Sequence, residues 1–244
     1  MSKIIAKEKT LVIPGEVLAE GMDYVPGHDV FREGEKLVSS KLGLFNVEGR
    51  VIKVIPISGK YSPKKNDIII GRISGYLMSG WRVDIGWAFD VNLTLRDAIS
   101  EYVSDIKAVD LSKYFELGDY VITQITNVIS GRYVDLSLKG PGLRKLGPGR
   151  IIQVAPSKVP RIIGKQASMI NLIKDATGAK ISVGQNGLIW ISGPTPESEL
   201  KTVETIRLIE KESHRQGLTD HIKEFLENKK WHMQKDLMEE NLMS

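Results

Sequence analysis

The run from Val159 to Gly193, VPRIIGKQASMINLIKDATGAKISVGQNGLIWISG, constrains the fold most, because a short helix, a basic turn, a second helix and a hairpin follow one another without a gap. Ile162 and Ile163 lead into Gly164-Lys165-Gln166-Ala167, after which Met169, Ile170, Ile173 and Ala176 recur at the spacing of one buried helical face. Gly178 stops that helix. Lys180 to Val183 and Leu188 to Ile191 read as two strands, rich in β-branched residues, joined by Gly184-Gln185-Asn186-Gly187. Asn186-Gly187 is a hairpin signal, since both residues accept positive φ at little cost.

Charge separates this stretch from the rest of the chain. Pro141 to Gly193 carries a formal +7 inside a chain whose total is +4, because eight Lys and Arg face the single acid Asp175. The centre of that block is a Gly-Lys turn opening a helix, where unpaired backbone N–H groups and the positive helix end favour phosphate.

On these residues the stretch resembles a KH domain, whose Gly-x-x-Gly loop clamps the backbone of about four nucleotides. The resemblance implies an RNA-binding set of Lys158, Arg161, Gly164, Lys165, Gln166 and Ala167. The fourth loop position departs from the pattern, being Ala167 rather than glycine. At negative φ its methyl is harmless, whereas at positive φ it strains the loop and crowds a sugar-phosphate backbone.

Upstream, residues 1–65 alternate short apolar runs with glycines, the rhythm of a small all-β module. Clustered His, Asp, Glu or Ser residues are absent from it, and its expected role is a structural platform. Val12-Ile13-Pro14-Gly15-Glu16 and Val54-Ile55-Pro56-Ile57-Ser58-Gly59-Lys60-Tyr61-Ser62-Pro63, running into Asp67 to Gly71, resemble the N-terminal domain of the RNA-binding cap subunits of the exosome. Residues 66–139 predict five strands, near 67–76, 81–85, 89–93, 120–128 and 132–138, with a polar interruption from Asp97 to Lys113. That arrangement suits an OB-type barrel. Gly80 to Gly86, Leu117 to Val121 and Tyr133 to Lys139 resemble the S-one-type RNA-binding repeat. Alternation turns Trp81, Val83 and Ile85 inward and leaves Arg82 and Asp84 outward. Arg82 stands where that family offers an aromatic, and Arg82, Asp84 and Arg132 are the expected RNA contacts of the barrel.

Residues 140–149 read as a linker, since two Gly-Pro-Gly elements oppose a continuing helix or strand. The KH domain then spans 150–215, with a last helix from Pro196 to Arg215 bearing Leu200, Val203, Ile206 and Ile209. A tail over 216–244 carries a further amphipathic helix, capped by Thr219-Asp220, with Ile222, Phe225, Leu226, Met233 and Leu237 on one side. The expected fold class is multidomain and mainly β with α+β: an N-terminal β module, a five-stranded OB-type barrel, and a KH α/β domain with C-terminal helices.

Other functions are disfavoured by what the residues lack. With no cysteine the chain has neither disulfide framework nor thiolate metal site. No segment approaches the ~20 apolar residues of a membrane span, so a cytoplasmic protein without membrane contact is expected. The four histidines lack metal-ligand spacing, the carboxylates are scattered, and no catalytic constellation or cofactor site is expected.

Platform, S-one-type barrel and KH domain in that order, with the Gly-x-Asn-Gly hairpin at 184–187, resemble the KH-bearing RNA-binding subunit of the exosome, most closely its archaeal form. The resemblance implies a non-catalytic protein that binds single-stranded RNA and guides its 3′ end into a channel. Three copies would cap a hexameric ring of RNase PH-like phosphorolytic subunits, with a sister cap subunit as a further partner. Two alternatives share the RNA modules. A stand-alone translation or ribosome-associated RNA binder would not need the residues from Val54 to Gly71. A polynucleotide phosphorylase carries the modules in the opposite order, behind catalytic domains for which 244 residues leave no room.

Overall fold

The computed structural model describes residues 3–99, 110–129, 133–213, 215 and 217–227. The chain divides into two compact units, Met1–Lys60 and Tyr61–Ser244.

The first unit is all β. Its strands are β1 (Lys3–Ile4), β2 (Leu11–Val12), β3 (Val17–Glu20), β4 (Val25–Pro26), β5 (Val30–Glu33), β6 (Lys36–Ser39), β7 (Gly43–Glu48) and β8 (Val51–Pro56). They form two four-stranded sheets, ordered β1-β3-β6-β5 and β2-β7-β8-β4. Strand alternation sends Val12, Phe45, Ile52 and Val54 into the core with Leu18 and Leu37. The opposite face of the second sheet is polar at one end, where Asn46, Glu48 and Lys53 lie, and apolar at the other. Leu11 pairs with Leu44, and Leu44 with Ile55, in one cross-strand row that is 55%, 39% and 50% exposed. Ile13 and Ile57 are exposed just beyond that row.

The second unit begins with a closed barrel built from β9 (Ile68–Leu77), β10 (Gly80–Asp84), β11 (Val91–Thr94), β12 (Tyr120–Ile129) and β13 (Tyr133–Ser137). The order β13-β11-β10-β9-β12 is closed by β12 pairing with β13. Only the β11–β13 pair is parallel. A short helix, α1 (Leu95–Ala98), is capped by Thr94, whose hydroxyl accepts from the Asp97 N–H at 3.2 Å. Trp81, Val83 and Ile85 point inward as their alternation predicts, and Trp81 packs edge-on to Phe115 at 4.9 Å. Tyr61 packs on this core from outside and donates to the Asp67 carboxylate at 2.6 Å.

The Gly-Pro-Gly stretch is not free of regular structure. Arg144–Lys145 forms β14, which pairs with Val121 and Ile122 of β12, and Leu146 is buried beside them. Proline and glycine rule out a long element, yet between them the backbone is extended enough to add a two-residue edge strand.

The remainder comprises β15 (Arg150–Gln153), α2 (Val159–Ile163), α3 (Ser168–Thr177), β16 (Lys180–Val183), β17 (Leu188–Ser192), α4 (Pro196–Lys211) and α5 (Leu218–Glu227). Its antiparallel sheet runs β15-β17-β16. Ile162, Ile170, Ile173, Ile189, Ile191, Ile206 and Ile209 form a core between this sheet and the helices. Three details differ from the sequence expectation. Ala176 is exposed and Thr177 takes its place on the buried face, because i, i+4, i+8 from Met169 lands on 177. Helix α4 stops at Lys211 rather than Arg215, and Leu200 is 45% exposed. Thr219 and Asp220 lie inside the first turn of α5, which starts at Leu218 after Gly217 at φ +70°, so they are not its cap. Leu218, Ile222 and Leu226 bury its apolar side, while Met233 and Leu237 lie outside the described residues. Among the described residues no helix is long and apolar enough to cross a membrane.

The hairpin at 184–187 serves a purpose beyond turning the chain. Gly187 takes positive φ (+89°) but Asn186 does not, so Asn186 is not required for turn geometry. Its buried carboxamide donates to the carbonyls of Ile70 at 2.7 Å and Ile85 at 2.9 Å, and accepts from the Ile70 N–H at 3.3 Å. Gln185 exchanges two further 2.8 Å bonds with Ile68. A Cβ on Gly184 would lie 2.3 Å from the Asn186 carboxamide oxygen, so only glycine allows this approach. Below the hairpin, Trp190 packs on Ile70, Ile122 and Leu146 and donates to the Gly147 carbonyl at 3.0 Å. Barrel and KH-like module therefore share a continuous interface.

Candidate nucleic-acid interface

The residues expected to contact RNA fall into two groups on different modules. Around the basic turn, α2 ends at Gly164 (φ +76°, ψ 171°), and Lys165–Ala167 makes a single tight turn into α3. A Cβ on Gly164 would lie 2.7 Å from the Met169 amide nitrogen, so this position demands glycine for space as well as for φ. Gln166 (φ +52°) and Ala167 (φ +61°) are both left-handed. The sequence left two outcomes for Ala167, and the structure takes the strained one. Two successive non-glycine residues in this region cost about 1–2 kcal/mol each, and such strain concentrates at ligand clamps.

The turn also exposes donors. Helix α3 begins without a side-chain cap; its Ser168 N–H is taken by the Lys165 carbonyl, and the N–H groups that follow it in the first turn have no side-chain acceptor. Lys165 and Gln166 are exposed beside them, Ala167 is half-buried against the core, and Lys158 is half-buried at the start of α2. Arg161 is engaged differently. Its guanidinium donates to the Arg215 carbonyl at 3.0 Å, and Arg215 in turn donates to Glu212 at 3.0 Å. His221 of α5 meets the same Glu212 oxygen at 3.0 Å. The Arg215 hydrogen bond, aided by the charges of His221 and Arg215, holds the Glu212 carboxyl below its ordinary range. Arg161 is thus braced against the residues that follow α4, which proximity in sequence to Gly164 did not foretell.

The second group lies on the outer surface of the barrel. Arg82 is exposed on β10, where Gly75 and Asn92 are its neighbours across the sheet, and Asn92 neighbours Asp135. Its guanidinium lies 3.9 Å from Asp90, which also accepts from the Ser74 hydroxyl at 3.1 Å. Asp84 accepts from the Gly86 N–H at 2.9 Å and lies 3.9 Å from Arg72, so it shapes the turn after β10 as much as it offers charge. Arg132 lies outside the described residues. Asn92 and Asp135 escaped the sequence reading because their place in the Arg82 row depends on the parallel β11–β13 register, which no local pattern encodes. The segment between β10 and β11 carries an aromatic pair: half-buried Trp87 meets Phe89 edge-on at 5.3 Å, and Phe89 is 48% exposed. Among the described residues no cluster of His, Asp and Glu has the geometry of a metal site.

Comparison with known proteins agrees with this architecture. A family model described as the Exosome RNA binding protein RRP4 N-terminal domain matches residues 9–58, and a KH domain model matches residues 149–208. Exosome complex component Rrp4 of Thermococcus kodakarensis is 43% identical over 229 residues, covering 93% of this chain and 88% of that protein. The protein of the same name from Saccharolobus solfataricus is 39% identical over 231 residues, covering 93% and 91%. A crystal structure of a protein designated as exosome complex RNA-binding superposes with a TM-score of 0.62 at 30% identity, covering 69% of this chain and 96% of that one.

Proposed function

Because the chain belongs to the Rrp4 family of exosome components, we propose that it binds single-stranded RNA through the barrel and the Gly164–Ala167 turn and delivers the 3′ end to a ring of RNase PH-like subunits. Three copies cap each hexameric ring in this reading, alone or mixed with a sister cap subunit, in the cytoplasm. The chain itself does no chemistry; cleavage belongs to the ring. The proposal includes the division into platform (1–65), barrel (66–139), linker (140–149), KH domain (150–215) and tail (216–244). RNA contact is assigned to Lys158, Arg161, Gly164, Lys165, Gln166, Ala167, Arg82, Asp84 and Arg132.

The observation that carries the reading is the extent of the family match, 43% identity across 93% of the chain, which includes the first unit. That unit supplies a surface for the ring: the exposed Leu11, Leu44 and Ile55 row is apolar and contiguous, as a protein-contact patch should be. A free-standing RNA binder has no use for such a row.

The test is reconstitution. The full chain, mixed with RNase PH-like ring subunits, should co-elute in gel filtration and accelerate phosphate-dependent shortening of a tailed RNA. Leu44→Glu with Ile55→Glu should abolish co-elution and leave RNA affinity within about two-fold. Recovery with ribosomes from native extract, and not with ring subunits, would favour the stand-alone reading.

A further inference from the structure

We propose that Phe89, held by Trp87, is the base-stacking platform of the barrel, standing in for the aromatic that β10 lacks at Arg82. The inference rests on the reading of the barrel as an RNA-binding module and adds the residue that meets a base.

Arg82 brings charge to the outer face but only a narrow planar surface, so a base passing over β10 gains little there. The loop after β10 provides what is missing. Asp90 fastens that loop to the barrel, since its carboxylate faces the Arg82 guanidinium at 3.9 Å and accepts from Ser74 at 3.1 Å. Phe89 is the residue immediately before Asp90, so its backbone is tethered one residue from the Arg82–Asp90 pair. Trp87 packs on the barrel core and meets Phe89 edge-to-face, with ring centroids 5.3 Å apart and planes at 76°. Such a contact occupies at most one face of each ring. Phe89 nevertheless keeps 48% of its surface exposed, in a chain where Trp81 of the preceding strand is wholly buried. An exposed ring braced by a core-anchored neighbour is preorganised for stacking, because little rotamer freedom remains to be lost on binding. Arg82 and Arg72 supply nearby cations to the phosphates on either side, each balanced by an acid (Asp90 and Asp84), which suits a base-centred rather than a charge-centred contact.

The experiment pairs protein variants with a chemically altered RNA. Affinities of the full chain are measured for an oligoadenylate and for the same oligomer with consecutive abasic residues. Phe89→Ala and Phe89→Leu should each weaken binding to oligoadenylate by roughly ten-fold or more, with the salt slope unchanged because no phosphate contact is lost. Phe89→Tyr should stay within about two-fold of the parent. On the abasic oligomer the parent, Phe89→Ala and Phe89→Leu should converge. If Phe89→Ala binds oligoadenylate like the parent, or loses as much on the abasic oligomer, the stacking platform is elsewhere, while RNA binding by the chain stands. If the parent binds neither oligomer, the RNA-binding reading of the barrel itself fails. Loss of co-elution with ring subunits at unchanged RNA affinity would assign Phe89 to a protein contact and overturn the proposal.

Discussion

Ala167 sits at φ +61°, where a methyl group is disfavoured and glycine is not. Ala167→Gly removes about 1–2 kcal/mol of backbone strain and returns part of it as unfolded-state entropy. Stability by denaturant titration should therefore rise by about 0.5–1 kcal/mol, and RNA affinity should hold or increase. Gly164→Ala should do the reverse and cost about 2 kcal/mol or more, since positive φ and the 2.7 Å approach to the Met169 nitrogen act together. Charge at the same turn sorts by position. Lys165 is exposed in the turn, while Lys174 lies half-buried in the last turn of α3, at the end away from the uncapped N-terminus. Lys165→Glu should weaken RNA binding several-fold more than Lys174→Glu and lower the salt slope by about one. Tyr61 makes a different prediction. Burial first, then the hydrogen bond to Asp67 and the charge of Asp67, push its phenol well above the usual value of 10.0. A group whose folded-state pKa is raised stabilises fully below its unfolded pKa and loses that contribution as pH climbs beyond it. Tyr61→Phe should cost about 1 kcal/mol at pH 7, and the gap between parent and variant should close above about pH 10. Melting curves from pH 7 to 11 check both parts.

At the scale of elements, the hairpin between β16 and β17 joins two modules through one carboxamide. Asn186→Ala strands the carbonyls of Ile70 and Ile85 in a buried site, and each unsatisfied group costs about 1–3 kcal/mol. The variant should lose roughly 2–4 kcal/mol and expose residues 140–149 to protease, whereas Gln185→Ala, at an exposed position, should lose far less. Most of the strands and helices were legible in the sequence, the two-residue β14 inside the expected linker being an exception. Period-two alternation located β10 and its inward Trp81, and three-and-four spacing located α3 to within one residue of its buried stripe. What the sequence concealed was pairing at long range. Asn186 reads as a turn former because Asn-Gly usually is one, and nothing local indicates that its side chain has partners 116 and 101 residues earlier. Arg161 likewise reads as a loop cation, while its bond to the Arg215 carbonyl depends on where α4 ends. The ring face of Trp87 escaped because a loop without a period leaves no face to assign, and that of Phe89 because the strand expected over 89–93 starts only at Val91.

Taken whole, the chain is two compact units, and a protein beginning at Tyr61 tests the proposed division of duties between them. It keeps the barrel core, the Tyr61–Asp67 bond and the Asn186 clamp. It should therefore fold, bind single-stranded RNA within a few-fold of the full chain, and fail to enter the ring, by gel filtration. The clamp also sets a schedule for synthesis. Ile70 and Ile122 face the later module, so a ribosome that has just released the barrel has released it with an apolar surface uncovered. Residue 186 leaves the ribosome 49 residues after Ser137, the last residue of β13, and at about 5–20 residues per second that interval lasts on the order of 2–10 s. During those seconds the nascent barrel is a client for chaperones, and slowing translation beyond residue 139 should lower the yield of soluble protein without altering a single residue of the finished molecule.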